Sequence, residues 1–251
     1  MHRESAAVSW VQAPRASALG PGTVDVWAVV VDRAAERWAL AGRLSAGEHA
    51  SMRRLRRGAD RRRCAVARAA LRQLLAEYLD ARPHELRFVR ARHGKPRLAA
   101  PYTGRVEFNV SHSGALALIA VSSAGGVGID VETLDRRAPN VLASHAFHDA
   151  ERAAIAGRPP RDRTRAILEH WTAKEAYLKA LGTGLHAPPP LVALPPSVPE
   201  PGTPATVIPG ALSGGLVFAR LALRGYVAGV VFVPDVTRLR CLLYAPTSAP
   251  S

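Results

Sequence analysis

The segment Gly128-Ile129-Asp130-Val131-Glu132 gives the main evidence for the fold of the second half of the chain. Its alternation of apolar and acidic residues predicts a β-strand, because successive side chains of a strand point to opposite faces of a sheet. Ile129 and Val131 then face the core, and the two carboxylates share the other face. Two such carboxylates suit a hard divalent cation such as Mg²⁺, although two solvated acids at a strand end would give the same pattern.

Residues 171–179, Trp-Thr-Ala-Lys-Glu-Ala-Tyr-Leu-Lys, have the spacing of an amphipathic helix. We expect this helix to run from about Thr164 to Leu181. Positions three and four apart place Glu175 and Lys179 on one face of it. They could form an ordinary helix ion pair, worth roughly 0.2–0.5 kcal/mol. Alternatively, Glu175 is a third carboxylate for the same metal, with a cation one turn later that suits a phosphate group.

A third polar segment, Phe108 to Gly114, ends in Ser111-His112-Ser113-Gly114. We expect these last four residues to form the turn between strands at 106–110 and 115–121. Their hydroxyls, imidazole and backbone N–H groups could hold a phosphate, although a polar hairpin turn is the simpler alternative. A serine hydrolase is disfavoured, because adjacent turn residues do not normally point at each other and the chain has no Gly-x-Ser-x-Gly motif.

Both halves of the chain have the order strand, helix, strands, which predicts an α+β fold of two similar lobes. The first half contains a β-branched strand at 24–31 and a helix that Asp60 caps and that ends near Asp80. The second half ends with strands at about 216–223 and 226–233.

We expect four regions along the chain: a disordered tail at 1–22, an N-terminal lobe at 23–124, a C-terminal lobe at 125–236 and a second tail at 237–251. Both tails lack hydrophobic periodicity, and the first is rich in Ala, Ser, Gly and Pro. A Pro-rich loop at 188–204 interrupts the C-terminal lobe.

The composition is that of an ordinary globular protein, with 48% hydrophobic and 22% charged residues among 251. No apolar run approaches the roughly 18 residues that span a bilayer, and the first residues do not resemble a signal peptide, so we expect a cytoplasmic protein without a membrane partner. Cys64 and Cys241 are too far apart in sequence to indicate a zinc site or a disulfide framework, and we expect both to be buried as small hydrophobic residues.

The net charge of +14 favours an anionic partner: a nucleic acid, a phosphorylated cofactor or an acidic protein. Residues 53–63 include seven arginines, either as a solvated helix face or as a nucleic-acid patch. No aromatic residues interleave them and no nucleic-acid-binding motif accompanies them, so a nucleic-acid partner is disfavoured. Only Lys95, Lys174 and Lys179 are lysines, which indicates positions that need a compact ammonium group, although a coding bias toward Arg also explains the composition.

Taken in order, these segments together with Gly94-Lys95-Pro96 resemble the 4'-phosphopantetheinyl transferases of the large, Sfp type. The resemblance covers about residues 24–233 and is strongest over 94–184. It implies a monomer of two lobes related by pseudo-twofold symmetry. It also implies transfer of the phosphopantetheine arm of coenzyme A to a serine of an acidic apo acyl or peptidyl carrier protein, with release of 3',5'-ADP. The alternative is a catalytically silent module that binds coenzyme A or a carrier protein.

The same resemblance assigns roles to five residues of the C-terminal lobe. Mg²⁺ at the pyrophosphate would be held by Asp130, Glu132 and Glu175. The catalytic set would be Glu151, Glu175 and Lys179. In that set Glu151 would take the proton of the incoming serine, directly or through a metal-bound water, and Lys179 would steady the pyrophosphate.

The resemblance also implies binding of the adenosine 3',5'-bisphosphate end of coenzyme A by four residues: Arg63, Lys95, Ser111 and His112. The sequence departs from the family at two positions that are usually basic, which here are Glu48 and Ser51. Binding of the 3'-phosphate is then either weaker or supported by other residues of the arginine-rich segment, of which the candidates are Arg53, Arg54 and Arg57.

Overall fold

Two long helices of equal length each cover one of two stacked β-sheets. The computed structural model describes residues 9–135, 146–183, 194, 206–208 and 215–245. The helices in these ranges are α1 (Arg33–Leu40), α2 (Ala46–Arg53), α3 (Gly58–Leu79), α4 (Asp149–Ala156) and α5 (Pro160–Leu181). The two 22-residue helices are α3 and α5. None of the helices described here is long and apolar enough to cross a membrane.

The first sheet has the strand order β1-β11-β2-β6-β5. Its members are β1 (Trp10–Gln12), β2 (Thr23–Val30), β5 (Glu107–Ser113), β6 (Leu116–Ser122) and β11 (Arg238–Tyr244). A short hairpin, β3 (Phe88–Arg90) with β4 (Pro96–Leu98), forms a separate two-stranded sheet.

The second sheet has the order β7-β10-β9-β8, with antiparallel neighbours throughout. Its members are β7 (Val127–Thr133), β8 (Thr206–Ile208), β9 (Leu216–Leu221) and β10 (Tyr226–Phe232). The predicted strands at 128–132, 216–223 and 226–233 are therefore confirmed. So is the α+β class, whereas the lobe boundaries at 124 and 125 stay a prediction.

Strand β2 shows how the layers are stacked. Its side chains alternate between two cores: Trp27 and Val29 pack with α3, while Val26 and Ala28 pack against the second sheet. A strand buried on both faces has no solvated side, which explains the apolar run from Val26 to Val29. The order of layers is thus α3, first sheet, second sheet, α5.

Both expected tails are wrong where the structure describes them. Trp10–Gln12 forms β1, and Arg238–Tyr244 forms β11 inside the first sheet, hydrogen-bonded to β1 and β2. This segment lacks hydrophobic periodicity, but the guanidinium of its Arg240 pairs with the fully buried Asp25 of β2 (Nε to Oδ1, 2.6 Å). Residues 1–8 and 246–251 lie outside the described residues, as does the Pro-rich loop 188–204 except for Leu194.

Three predicted boundaries also shift. Helix α3 begins at Gly58, so Asp60 lies in its first turn and does not cap it, while its end beside Asp80 is confirmed. Helix α5 begins at Pro160, where the fixed φ of proline suits the first helical position. Ser111, His112 and Ser113 belong to β5, and only Gly114 and Ala115 form the turn to β6.

Strand β7 and helix α5 touch through their backbones at Gly128. A Cβ atom added there would overlap the carbonyl oxygen of Ala176 and the amide nitrogen of Ala180. Because neither of these backbone atoms can move without shifting the helix, only glycine permits this approach. The small residues Ala173, Ala176 and Ala180 on the facing side of α5 complete the close packing.

We predict that Gly128→Ala lowers the free energy of unfolding by about 3 kcal/mol or more, because it forces α5 away from β7. The matched control is Gly47→Ala in α2, where an added Cβ meets nothing within 4 Å. That substitution should raise stability by about 0.5–1 kcal/mol, the usual gain for Gly→Ala in a helix. Urea unfolding followed by circular dichroism measures both. Equal stability of the two variants would contradict the backbone contact.

Candidate active site

The serine-bearing face of β5 lies against the acidic face of β7. Ser111 Oγ donates to Asp130 Oδ1 at 2.7 Å, and Ser113 Oγ donates to Glu132 Oε2 at 2.8 Å. Each serine thus meets the carboxylate at the matching position of the facing strand. The alternation predicted for residues 128–132 is confirmed, since the two carboxylates do share a face.

Helix α5 brings a cation to these carboxylates. Lys179 Nζ lies 2.6 Å from Asp130 Oδ1 and also donates to the carbonyl oxygen of Ile129 at 3.3 Å. Its distance to Glu175 Oε2, within the same helix, is 3.9 Å. The tighter partner of Lys179 is therefore Asp130 on β7. Lys179 thus makes more than the local helix pair with Glu175.

The three predicted metal carboxylates lie within electrostatic range of one another. Burial raises the pKa of Glu175 above its usual value of 4.5; Lys179 opposes this rise, and the charges of Asp130 and Glu132 add to it. Asp130 Oδ2 is buried, with no hydrogen-bond partner in the described part of the chain. Such a cluster has excess negative charge and one unused oxygen, which a bound cation would satisfy.

The donor set fits Mg²⁺ but does not form a closed protein cage. Across residues 9–135, 146–183, 194, 206–208 and 215–245, no three His, Cys, Asp or Glu side chains converge tightly enough to enclose a metal ion. Mg²⁺ commonly takes one or two carboxylates and fills its octahedron with waters and phosphate oxygens. Asp130 with its unused oxygen is the ligand that the structure supports most directly.

A cavity of about 770 Å³ opens beside this cluster. Residues from both halves of the chain line it, among them Arg63 of α3, His112 of β5 and Glu132 of β7. Arg63 is ion-paired with Asp60 and donates to the carbonyl oxygen of Gly114 at 3.3 Å. Its guanidinium thereby anchors one wall of a space large enough for a nucleotide-sized ligand.

His112 faces away from the carboxylates, because it alternates with Ser111 and Ser113 along β5. Desolvation lowers the pKa of His112, and the charges of Arg63 and Lys179 lower it further. At neutral pH its ring is therefore predominantly uncharged and able to donate one hydrogen bond. It can orient a phosphate oxygen, while the positive charge comes from Arg63 and Lys179.

Lys95 is not among the residues that line this cavity, and its predicted role toward coenzyme A stays a prediction. Its buried Nζ donates to the carbonyl oxygens of Val127 at 3.0 Å and Ala180 at 3.5 Å, with Glu107 3.9 Å away. Burial lowers the pKa of Lys95, and Glu107 counters this effect. The ammonium group therefore connects the start of β7 to the end of α5 and stabilises their packing.

Glu151 is not placed to take the serine proton directly. It is fully buried, and its carboxylate accepts from Lys174 Nζ at 2.5 Å, from the His148 amide at 2.7 Å and from the Leu194 amide at 3.1 Å. Both oxygens are thus engaged, and no substrate hydroxyl can reach them. The capping box His148-x-x-Glu151 at the start of α4 was the sequence signal for this structural role.

The two positions that depart from the family pattern are also engaged. Glu48 caps α2 and pairs with Arg72 Nε at 2.8 Å, and the Ser51 hydroxyl donates to the Gly47 carbonyl. Both residues line a second cavity of about 680 Å³, which shares Cys64 with the first. Three arginines supply positive charge to that second cavity besides Arg72: Arg68, Arg87 and Arg90.

Sequence reasoning missed Ser113, which holds Glu132. Had residues 111–113 been recognised as strand, the period of two would have paired Ser113 with Glu132 as it pairs Ser111 with Asp130. The assignment of these residues to a turn concealed this second contact.

Comparison with known proteins identifies relatives over most of the chain. Residues 126–230 match the family described as the 4'-phosphopantetheinyl transferase superfamily, and residues 33–124 match the family described as 4'-phosphopantetheinyl transferase, N-terminal. The 4'-phosphopantetheinyl transferase HetI of Nostoc sp. is 33% identical over 180 residues, which cover 70% of this chain and 76% of HetI.

Two further relatives match over a smaller share of their own length. A Synechocystis sp. protein is 37% identical over 143 residues, covering 57% of this chain and 58% of that protein. A phosphopantetheinyl transferase of Thraustochytrium sp. is 30% identical over 181 residues, covering 66% of this chain and 63% of that protein. The chain thus spans less than two thirds of these two relatives.

We predict that the Lys174–Glu151 pair stabilises the fold and does not carry catalysis. Lys174→Met leaves a buried carboxylate without its counter-charge and should cost about 3–5 kcal/mol. Lys174→Met combined with Glu151→Leu removes both charges and should cost less than Lys174→Met alone. Urea unfolding of the single and double variants measures this. Additive losses would show that the two side chains are not coupled.

We also predict a pH-dependent stability contribution from Glu175. Because its folded-state pKa is above 4.5, the folded state binds more protons than the unfolded state between the two pKa values. The contribution of Glu175 to stability is thus present at low pH and is lost as pH rises through the folded-state pKa. The difference in unfolding free energy between the native chain and Glu175→Gln should fall as pH rises above about 4.5 in metal-free buffer. A constant difference would contradict the raised pKa.

Proposed function

Because the chain belongs to the 4'-phosphopantetheinyl transferase superfamily, we propose that it transfers the phosphopantetheine arm of coenzyme A to a serine of an apo acyl or peptidyl carrier protein, releasing 3',5'-ADP. The observation that carries this proposal is the cluster in which Lys179 bridges Asp130 and Glu175 beside a cavity lined by both halves of the chain. It combines cations for a pyrophosphate with carboxylates for a metal ion.

The cavity supplies the groups that would bind the anionic end of coenzyme A. Arg63 and His112 line it, and Lys179 lies near enough for its charge to lower the pKa of His112, so the site combines two cations with a neutral hydrogen-bond donor. Charge-assisted hydrogen bonds to phosphate are about twice as strong as neutral ones, so the two cations would determine where the pyrophosphate lies. Ser111 serves this arrangement by fixing Asp130.

Asp130, Glu132 and Glu175 are the residues that would hold Mg²⁺, and Asp130 Oδ2 is the oxygen still without a partner. When bound, Mg²⁺ supplies charge neutralisation for the pyrophosphate and for the departing nucleotide. Ser113 keeps Glu132 in place through its 2.8 Å hydrogen bond.

In the reaction, the carrier serine oxygen forms a bond to the phosphorus that bears the pantetheine arm. The bond from that phosphorus to the oxygen of the leaving 3',5'-ADP breaks, and the serine proton must go to a base. Because Glu151 is buried in its ion pair with Lys174 and Glu175 would be occupied as a metal ligand, we propose that a water in the cavity takes this proton and passes it to solvent. Lys179, 3.9 Å from Glu175, would stabilise the charge on the pyrophosphate.

Both halves of one chain line the cavity, which supports action as a monomer. The formal charge of +14 supports an acidic carrier protein as the second substrate, since opposite charge speeds the encounter of two proteins. We place the reaction in the cytoplasm, where coenzyme A is available, with neither nucleic acid nor membrane as partner.

We predict that apo carrier proteins incubated with this protein, coenzyme A and Mg²⁺ gain about 340 Da, the mass of a phosphopantetheine group, and that EDTA prevents the gain. Asp130→Asn and Lys179→Met should each reduce the initial rate by at least about 100-fold. Asp149→Asn, which alters an exposed carboxylate of α4, is the matched control and should retain the native rate. Mass spectrometry of the carrier gives each rate.

Thermal unfolding of the three variants shows whether each remains folded. Native rates in both Asp130→Asn and Lys179→Met would refute the site. Absence of transfer to every carrier tested, with coenzyme A still bound, would instead identify a catalytically silent binding module.

A further inference from the structure

The seven arginines of residues 53–63 divide into two groups in the structure. Three are engaged within the protein. Arg62 Nε pairs with Glu36 Oε2 at 2.8 Å, and Arg63 pairs with Asp60. Arg61 donates to the carbonyl oxygens of Leu55 at 2.8 Å and Arg56 at 3.3 Å. Arg61 and Arg62 are thus engaged within the fold, and Arg63 belongs to the wall of the candidate active site.

The other four arginines are exposed at the end of α2 and in the connection to α3. We name them the arginine loop: Arg53, Arg54, Arg56 and Arg57. None of the four has a carboxylate within ion-pair distance in the part of the chain that the structure describes. Four like charges within five residues repel one another, so an anionic partner would relieve an unfavourable local field.

The arginine loop lies at the edge of the candidate active site. Leu55 and Arg57 line the 770 Å³ cavity together with His112 and Glu132. The remaining three arginines of the loop lie outside that lining. Their charge is therefore presented to whatever approaches the cavity from outside, and not to a small ligand held within it.

The loop is also held in shape before any partner arrives. The Arg61 guanidinium binds two consecutive carbonyl oxygens of the connection, at Leu55 and Arg56. The half-buried Leu55 gives the loop an apolar centre between its charges. A surface that is already ordered loses little conformational entropy on binding, which favours a specific interaction.

We propose that the arginine loop is the docking surface for the acidic face of the carrier protein, positioned so that the acceptor serine enters the adjoining cavity. This inference rests on the proposed transfer reaction. A protein partner is favoured over nucleic acid because residues 53–63 contain no aromatic side chain on which a base could stack.

The test compares two single charge reversals that change the net charge equally. Arg56→Glu alters the arginine loop at the one position that is not a candidate for binding the 3'-phosphate of coenzyme A. Arg82→Glu is the matched control: Arg82 is exposed and follows α3 at the other end of that helix. A 22-residue helix spans about 33 Å, so the control surface is remote from the cavity.

We predict that the loop variant raises the KM for an apo acyl carrier protein by about tenfold or more, while the KM for coenzyme A and kcat at saturating carrier change less than about twofold. The control variant should match the native protein in all three constants. Added salt should raise the native KM for the carrier and should have less effect on the loop variant.

Three outcomes would overturn the docking assignment. The carrier KM could be unchanged relative to the control, or the KM for coenzyme A could rise instead, which would place the loop in nucleotide binding. A DNA duplex that competes with the carrier for native protein but not for the loop variant would assign the loop to nucleic acid.

Binding of the apo carrier, measured without coenzyme A by fluorescence anisotropy, separates this inference from the proposed function. A native protein that binds the carrier through the loop but transfers nothing would refute the transfer reaction and leave the docking surface intact. If the native protein and the loop variant bind the carrier with equal affinity and transfer at the same rate, the docking surface is refuted and the transfer reaction stands.

Discussion

The site depends on the direct backbone contact between helix α5 and strand β7 at Gly128. Because Gly128, Asp130 and Glu132 share one face of β7, the glycine brings the helix against the strand and the next two positions present carboxylates to it. Lys179, near the end of α5, reaches Asp130 at 2.6 Å for this reason. A larger residue at 128 would separate the cation from the carboxylates, whatever their chemistry.

Helix α5 makes two kinds of ion pair, and the contrast between them distinguishes architecture from function. Lys174 is fully buried and its charge is matched by Glu151, whose oxygens are all engaged. Lys179 is partly exposed and faces more carboxylate charge than it can neutralise, with one oxygen of Asp130 left unbonded. The first pair is electrostatically complete, whereas the second leaves a deficit that only a further cation would remove.

The parts of the site that were predictable from sequence are those encoded by local patterns. The alternation of residues 128–132 and the helical spacing of 171–179 correctly placed Asp130, Glu132, Glu175 and Lys179. The errors came from partners distant in sequence. Strand β11 was predicted as a tail because its residues lack hydrophobic periodicity, and its Arg240 pairs with Asp25, which is more than 200 positions away. No local pattern indicates that a basic residue will be neutralised by a buried acid.

The lysines explain how an arginine-rich chain divides its positive charge. Only three of its 34 basic residues are Lys, and each ammonium group lies between structural elements with carbonyl or carboxylate oxygens around it. A compact ammonium fits such narrow gaps, which would exclude a planar guanidinium. Arginine instead supplies the exposed charge of the loop beside the cavity, where its reach suits a partner's carboxylates. Lys95 follows this pattern between β7 and α5, where its ammonium group donates to the carbonyl oxygens of Val127 and Ala180.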